Sequence, residues 1–145
     1  MPKGNISFNT ENIKFSLTKR KIFKDWILET IKNENKNCGD INFIFCNDEF
    51  LLTINKEYLN HTTLTDIITF DYSEKTEILS GDIFISIERI IENAKEFKVA
   101  FETELSRVMI HGILHLLGYK DKSKSDKAEM TQKEDYYLNL QPETL

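Results

Sequence analysis

The chain contains 145 residues, about the size of one ordinary domain, so we expect a single domain over residues 1–145 rather than a catalytic unit with a separate cofactor module. Its formal charge of -5 argues against a protein that coats nucleic acid indiscriminately, and its 5 glycines and 2 prolines argue against a glycine-rich phosphate loop. The longest uninterrupted apolar run, Phe43 to Cys46, is far short of the roughly 18 residues that a membrane-spanning helix needs, which predicts a soluble, cytoplasmic protein without a membrane partner.

The first half of the chain predicts one helix between short strands. An early strand is expected near Ile6 to Phe8. From Thr18 to about Lys32, apolar residues recur at helical spacing with Lys and Glu between them, which predicts an amphipathic helix. The runs INFIFC and EFLLTI, separated by Asn47 and Asp48, are short and rich in Ile and Phe. They predict a β-hairpin.

The second half of the chain predicts two further strands and three helices. The segments Asp66 to Asp71 and Gly81 to Ser86 are β-branched and aromatic and extend the sheet, and Ser86 is a plausible N-cap for the helix that follows. A helix from about Thr103 to Leu117 is apolar nearly all round, which marks it as the buried helix. A more polar helix, about Ser125 to Leu138, is expected to pack at the periphery. The predicted class is α+β, a small mixed β-sheet with packed helices around this buried central helix.

Two of the three histidines, His111 and His115, lie four residues apart on the buried helix. Because residues four apart share a helix face, both imidazoles can point at one metal ion, although paired core histidines would show the same spacing. Gly118 follows the last Leu, where a left-handed residue commonly ends a helix, and the turn can return Asp121 to the imidazoles. Two histidines and one carboxylate leave an open coordination position for water, which is typical of a hydrolytic rather than a structural metal site.

Two neighbouring residues qualify this metal site. Gly112 stands where HExxH metalloproteases have their general base, which disfavours a peptidase of that type. Inside a helix a glycine costs about 1 kcal/mol relative to alanine, so either a close ligand or tight helix packing must favour it. Glu104, seven residues before His111 on the same face, is a candidate to orient an imidazole, and a solvated or salt-bridged glutamate is the alternative.

The run HGILHLLGYKD, from His111 to Asp121, resembles the pattern HGxLHLxGYDH of the YbeY family of bacterial metal-dependent endoribonucleases. INKEYLNHTTLTDIITF is similar to the family's LNxxYRxxxxPTDVLSF segment, and GDIFIS resembles the strand that follows it. The resemblance implies a single-strand-specific endoribonuclease that matures ribosomal RNA, especially the small-subunit RNA 3′ end, and supports ribosome quality control. The implied partners are ribosomal RNA and the ribosome or small-subunit proteins. His111 and His115 would be catalytic and would hold one Zn²⁺ per chain together with Asp121.

The chain departs from the family pattern at two positions. Asp121 stands where the family usually has a third metal-binding histidine, and a carboxylate is also a ligand that zinc accepts. Leu59 corresponds to an arginine that would be expected to bind phosphate in the family. Lys56, His61 or the lysines after Gly118 are candidates to replace that arginine.

Other residues are expected near the site on weaker grounds. The lysines after Gly118 flank the proposed metal, where a phosphate backbone would pass, although such runs are more often solvated: Lys120, Lys122, Lys124 and Lys127. The resemblance implies that Thr65, Asp66 and Phe70 line a cleft beside the metal. For Phe70 we favour an ordinary core position instead.

Two alternative functions stay open at this point. One is a metal hydrolase that acts on a small substrate or a peptide, with turnover independent of RNA length. The other is a non-enzymatic ribosome-associated factor, in which a structural metal merely ties Asp121 back onto the buried helix.

Overall fold

The computed structural model describes residues 4–61, 64–74 and 77–142. Within these ranges the chain forms four strands and five helices. In chain order they are β1 (Ile6–Glu11), α1 (Arg20–Asn33), β2 (Asn37–Cys46), α2 (Asp48–Leu59), β3 (Ile67–Asp71), β4 (Ile78–Ser86), α3 (Ile87–Phe97), α4 (Phe101–Leu116) and α5 (Lys124–Asn139).

The four strands form one mixed sheet in the order β1-β2-β4-β3. Strand β2 pairs in parallel with both β1 and β4, and β3 pairs antiparallel with β4 at the edge of the sheet. The predicted α+β class and mixed sheet are therefore confirmed.

The two faces of the sheet have different coverings, because side chains alternate along each strand. On one face, residues such as Phe43 and Ile83, which are partners in register, join the main core with α1, α3, α4 and α5. On the other face, α2 places Leu51 over the β3 side of the sheet. Helix α4 thus lies on the main core face, and most of its sixteen residues are buried. Of the described residues, none belongs to a helix that is long and apolar enough to cross a membrane.

The predicted hairpin is wrong. The run INFIFC does belong to a strand, β2, but EFLLTI lies in helix α2. Asn47 is the N-cap of that helix, since its side chain accepts a hydrogen bond from the backbone N–H of Phe50 at 2.9 Å. Leu51 and Asn55 are buried one turn apart, which is a helical and not an alternating pattern.

The remaining sequence-predicted elements are present, with ends that differ by a few residues. Ser86 caps α3 as expected, because its hydroxyl accepts from the backbone N–H of Arg89. The close approach at Gly112 is to the sheet: an added Cβ would lie 2.9 Å from a methyl of Ile83 and 3.0 Å from one of Ile67. Tight helix packing is therefore the reason for a glycine at this point in α4.

Candidate metal centre

Helix α4 places the imidazoles of His111 and His115 side by side. They are one turn apart, their ring centroids are 4.6 Å apart, and their side chains keep 20% and 27% of their surface exposed. Gly112, between them in sequence, packs against Ile83 and Ile67 of the sheet, and the two imidazoles lie beside the β3 edge of that sheet. The two rings therefore lie at the surface of an otherwise buried helix, where a ligand can reach them.

The chain reverses directly after α4. Gly118 adopts a φ of 105°, the left-handed region that a side chain disfavours, and the backbone N–H of Tyr119 bonds the carbonyl of Leu114 at 3.0 Å. This turn brings Asp121 back to the histidines. Its Oδ2 atom lies 3.4 Å from Nε2 of His111 and 3.3 Å from Nε2 of His115.

The three side chains fit a tetrahedral divalent ion. Their ligand atoms all lie within 4.8 Å of one another. Zinc bonds to nitrogen and oxygen ligands of about 2.0 to 2.1 Å place neighbouring tetrahedral ligands about 3.3 Å apart. The observed separations from Asp121 to both histidines agree with that value. Two neutral imidazoles and one carboxylate also form a donor set that zinc accepts.

A carboxylate from α5 fixes the orientation of His111. Oε2 of Glu134 lies 2.7 Å from Nδ1 of His111, and Oε1 accepts a bond from Nη1 of Arg107, also at 2.7 Å. Because a carboxylate only accepts, Nδ1 carries the proton and Nε2 is directed towards Asp121. A second residue that orients a metal-binding imidazole in this way is a common feature of metal sites.

Helix α5 packs at the periphery as predicted, and its buried residues are Met130, Glu134 and Tyr137. The expectation for Glu104 is corrected. The residue that contacts His111 is Glu134 and not Glu104. Glu104 is buried rather than solvated, and it is Glu134 that bonds to the imidazole of His111.

Burial and neighbouring charges raise the pKa of His111 and lower the pKa of His115. Burial lowers the pKa of His111, but the hydrogen bond and charge of Glu134 outweigh burial and raise it above its ordinary value. Burial, and then the neighbouring His111, lower the pKa of His115, which favours its neutral form. A divalent ion would therefore compete with a proton at His111 more than at His115.

The histidines and Asp121 open onto a cleft of about 390 Å³. We call it the histidine cleft; its described lining residues are Thr65, Asp66, Ile67, Thr69, Glu104, Arg107, Val108, His111, His115, Asp121 and Glu134. Burial raises the pKa of Asp66 and Glu104, and at Glu104 the charge of Asp66 adds to the rise. The cleft therefore concentrates carboxylates that a bound cation would stabilise.

Of the other residues that the sequence placed near the metal, some line the histidine cleft and others do not. Thr65 and Asp66 line the histidine cleft, whereas Phe70 packs its ring 5.8 Å from those of Tyr58 and Phe84. The candidates for the missing arginine do not enter it. Lys56, His61 and the lysines at 120, 122, 124 and 127 are exposed and are not among the described lining residues, and neither is Leu59.

Sequence reasoning missed two cleft residues, Arg107 and Glu134. Arg107 lies four residues before His111, so the spacing that identified the histidine pair, extended by one turn, would have found it. No local pattern marks Glu134, which is 23 residues beyond His111 and meets it only through the packing of α5 on α4.

Comparison with known proteins gives a consistent result along almost the whole chain. A family model described as Endoribonuclease YbeY matches residues 5–141. A protein of Flavobacterium psychrophilum named Endoribonuclease YbeY is 57% identical over 135 residues, which covers 93% of this chain and 95% of that protein. A protein of the same name from Amoebophilus asiaticus is 49% identical over 138 residues, covering 95% and 94%. A solution structure of a Thermotoga maritima protein superposes with a TM-score of 0.66 at 29% identity, covering 93% of this chain and 87% of that one.

Proposed function

The chain belongs to the YbeY family of endoribonucleases, and on that premise we propose that it is a metal-dependent endoribonuclease that hydrolyses single-stranded RNA. The observation that carries the proposal is the convergence of His111, His115 and Asp121 at ligand spacing beside an open cleft. The proposal assigns the activity to one domain over residues 1–145.

The proposed metal is Zn²⁺, one ion per chain, with His111, His115 and Asp121 as its ligands and the two histidines as the catalytic residues. When bound by three protein ligands, such an ion lowers the pKa of water and polarises a phosphoryl oxygen. Glu134 holds the proton of His111 on Nδ1, so that Nε2 stays available as a ligand. Gly112 leaves no carboxylate directly after the first histidine, so proton transfer would fall to two other carboxylates that line the cleft, Asp66 and Glu104.

The proposed substrate is ribosomal RNA, in particular the 3′ end of the small-subunit RNA, in the cytoplasm and in association with the ribosome. The names of the relatives support RNA as the substrate class. Exposed lysines on both sides of Asp121, such as Lys120 and Lys122, support a path for the phosphate backbone past the ligands.

Metal content tests the proposal before any assay of RNA. Elemental mass spectrometry of the purified protein is expected to find about one zinc per chain, as for a site with three protein ligands. His111→Ala and Asp121→Ala are expected to lose it, whereas His61→Ala, which removes an exposed histidine outside the histidine cleft, keeps it.

Cleavage of a labelled single-stranded oligoribonucleotide then separates an enzyme from a factor with a structural metal. Wild type and His61→Ala are expected to cleave, and the two metal-site variants are not. Wild-type protein that binds no metal after reconstitution would contradict the metal mechanism. Metal-loaded protein that binds RNA without cleaving it would instead favour the non-enzymatic ribosome-associated factor.

A further inference from the structure

One side chain gives the histidine cleft a permanent positive charge. Among the described lining residues, Arg107 is the only lysine or arginine, and its guanidinium stays protonated at any physiological pH. Carboxylates share the cleft with it: Asp66, Glu104, Asp121 and Glu134. A phosphodiester that enters between these carboxylates needs cationic partners, and the protein itself supplies Arg107.

Helix geometry directs Arg107 towards the proposed metal. It lies one turn before His111 and two turns before His115, so the three side chains share one face of α4. The valine after it, Val108, also lines the cleft. The guanidinium is therefore a neighbour of the metal ligands along the helix surface and not a charge of a remote loop.

Two carboxylates of α5 hold the guanidinium in place. Nη1 donates to Oε1 of Glu134 and Nη2 donates to Oδ1 of Asp135, each at 2.7 Å. Glu134 contacts His111 through its other oxygen, so one carboxylate positions both Arg107 and a proposed metal ligand. These two bonds use two of the five N–H donors of a guanidinium, and with 34% of the side chain exposed the rest of the group can meet an incoming anion.

We propose that the guanidinium of Arg107 donates a hydrogen bond to a non-bridging oxygen of the phosphate that is cleaved. Phosphate oxygens gain negative charge as the transition state forms, and a fixed donor that meets them there accelerates the reaction. The planar fork of arginine suits two phosphate oxygens, whereas lysine offers a single point charge. The inference rests on the proposed function and adds a substrate-contacting residue to it.

The test compares Arg107→Ala, Arg107→Lys and Asp135→Asn with wild type, each with its metal content measured. The substrate is a 5′-labelled single-stranded oligoribonucleotide, and His115→Ala is the blank. For Arg107→Ala at wild-type metal content, kcat is expected to fall about 100-fold with a smaller change in KM. Arg107→Lys is expected to lie between alanine and wild type. Asp135→Asn keeps an oxygen that can accept from Nη2 and removes only the charge, so it is expected to lower kcat less than Arg107→Ala does.

Chemical rescue separates contact with the substrate from a structural role. Millimolar guanidinium chloride is expected to restore part of the activity of Arg107→Ala and none of that of His115→Ala. Wild-type kcat in metal-loaded Arg107→Ala would overturn the inference, and so would a loss that metal reloading fully reverses. If wild type cleaves no faster than His115→Ala, the proposed function and the inference both fail, which distinguishes that outcome from a failure of Arg107 alone.

Discussion

Replacing Glu134 by Gln keeps the volume of this side chain but removes the negative charge that contacts both Arg107 and His111. Its two oxygens contact Arg107 and His111, each at 2.7 Å. A glutamine has one oxygen and one NH₂ group, so in either orientation its NH₂ faces a donor. If it faces Nδ1 of His111, the imidazole must move its proton to Nε2 or turn, and Nε2 is the proposed metal-binding atom.

The expected cost follows from the two contacts. A hydrogen bond to a charged group contributes about 1.5 to 3 kcal/mol, and one of the two is lost outright. Arg107 is partly exposed and keeps Asp135, which offsets part of the loss. We therefore expect the free energy of unfolding to fall by about 2 kcal/mol and the metal affinity to fall about 10- to 100-fold.

Two measurements check this prediction. Urea unfolding of metal-free protein gives the change in stability, and competition with a chromophoric chelator gives the metal affinity. The matched control is Asp135→Asn on the same helix, which contacts Arg107 but is more than half exposed. It is expected to change stability by less than about 1 kcal/mol and to leave metal affinity unchanged. Wild-type metal affinity in Glu134→Gln would refute the argument that Glu134 orients the imidazole.

Two further substitutions test the packing around the site. Gly112→Ala would place a Cβ 2.9 Å from a methyl of Ile83. The cost of overpacking, about 1 to 3 kcal/mol, should exceed the gain of about 1 kcal/mol in helix propensity. Urea unfolding should therefore show a less stable protein, and a more stable one would refute the packing argument. Burial and its bond to Glu34 raise the pKa of Tyr137 to about 12, so its stabilisation is present below the unfolded pKa of 10.0 and is lost as the pH rises through about 12. The difference in melting temperature between wild type and Tyr137→Phe should therefore shrink over this range, and a constant difference would contradict the assignment.

Local sequence patterns were sufficient to predict the helix that carries His111 and His115. The apolar run of α4 and the spacing of His111 and His115 depend on helix periodicity, which is a property of neighbouring residues. The turn at Gly118 is equally local, because a left-handed residue after a helix favours glycine. The approach of Asp121 could therefore be predicted from eleven consecutive residues of sequence, HGILHLLGYKD.

The prediction of a hairpin was wrong because a short apolar run fits both the two-residue period of a strand and the 3.6-residue period of a helix. EFLLTI has apolar residues on several sides, and β-branched and aromatic content favoured a strand. The signals for a helix were present just before it: Asn47 is a preferred N-cap residue, and Asp48 and Glu49 place negative charge in the first turn. The same Asn and Asp also occur in turns, and only packing against the sheet decides between the two.

Glu134 could not be assigned from the sequence, and Asp66 was assigned to the cleft only through the family resemblance, because both roles depend on tertiary packing. Glu134 reaches His111 across the contact of α5 with α4, and Asp66 enters the cleft from the start of β3. Acidic residues are frequent in this chain, with 24 in 145 positions, so composition did not single out either one. Arg107 is different, since its helical spacing to the histidines was visible and was not used.

The charge of the histidine cleft makes metal binding and phosphate binding dependent on each other. Without an ion, Asp121 and the other carboxylates of the cleft face the substrate, and Arg107 is the one permanent cation among the lining residues that the structure describes, so a phosphate would be repelled. A divalent ion at Asp121 reverses the sign of the field at that end, while Glu134 keeps Arg107 close to it. If the phosphate of RNA binds the cleft more tightly when the ion is present, RNA binding also favours the ion-bound form of the protein. RNA should therefore raise the affinity for the ion by the same factor as the ion raises the affinity for RNA.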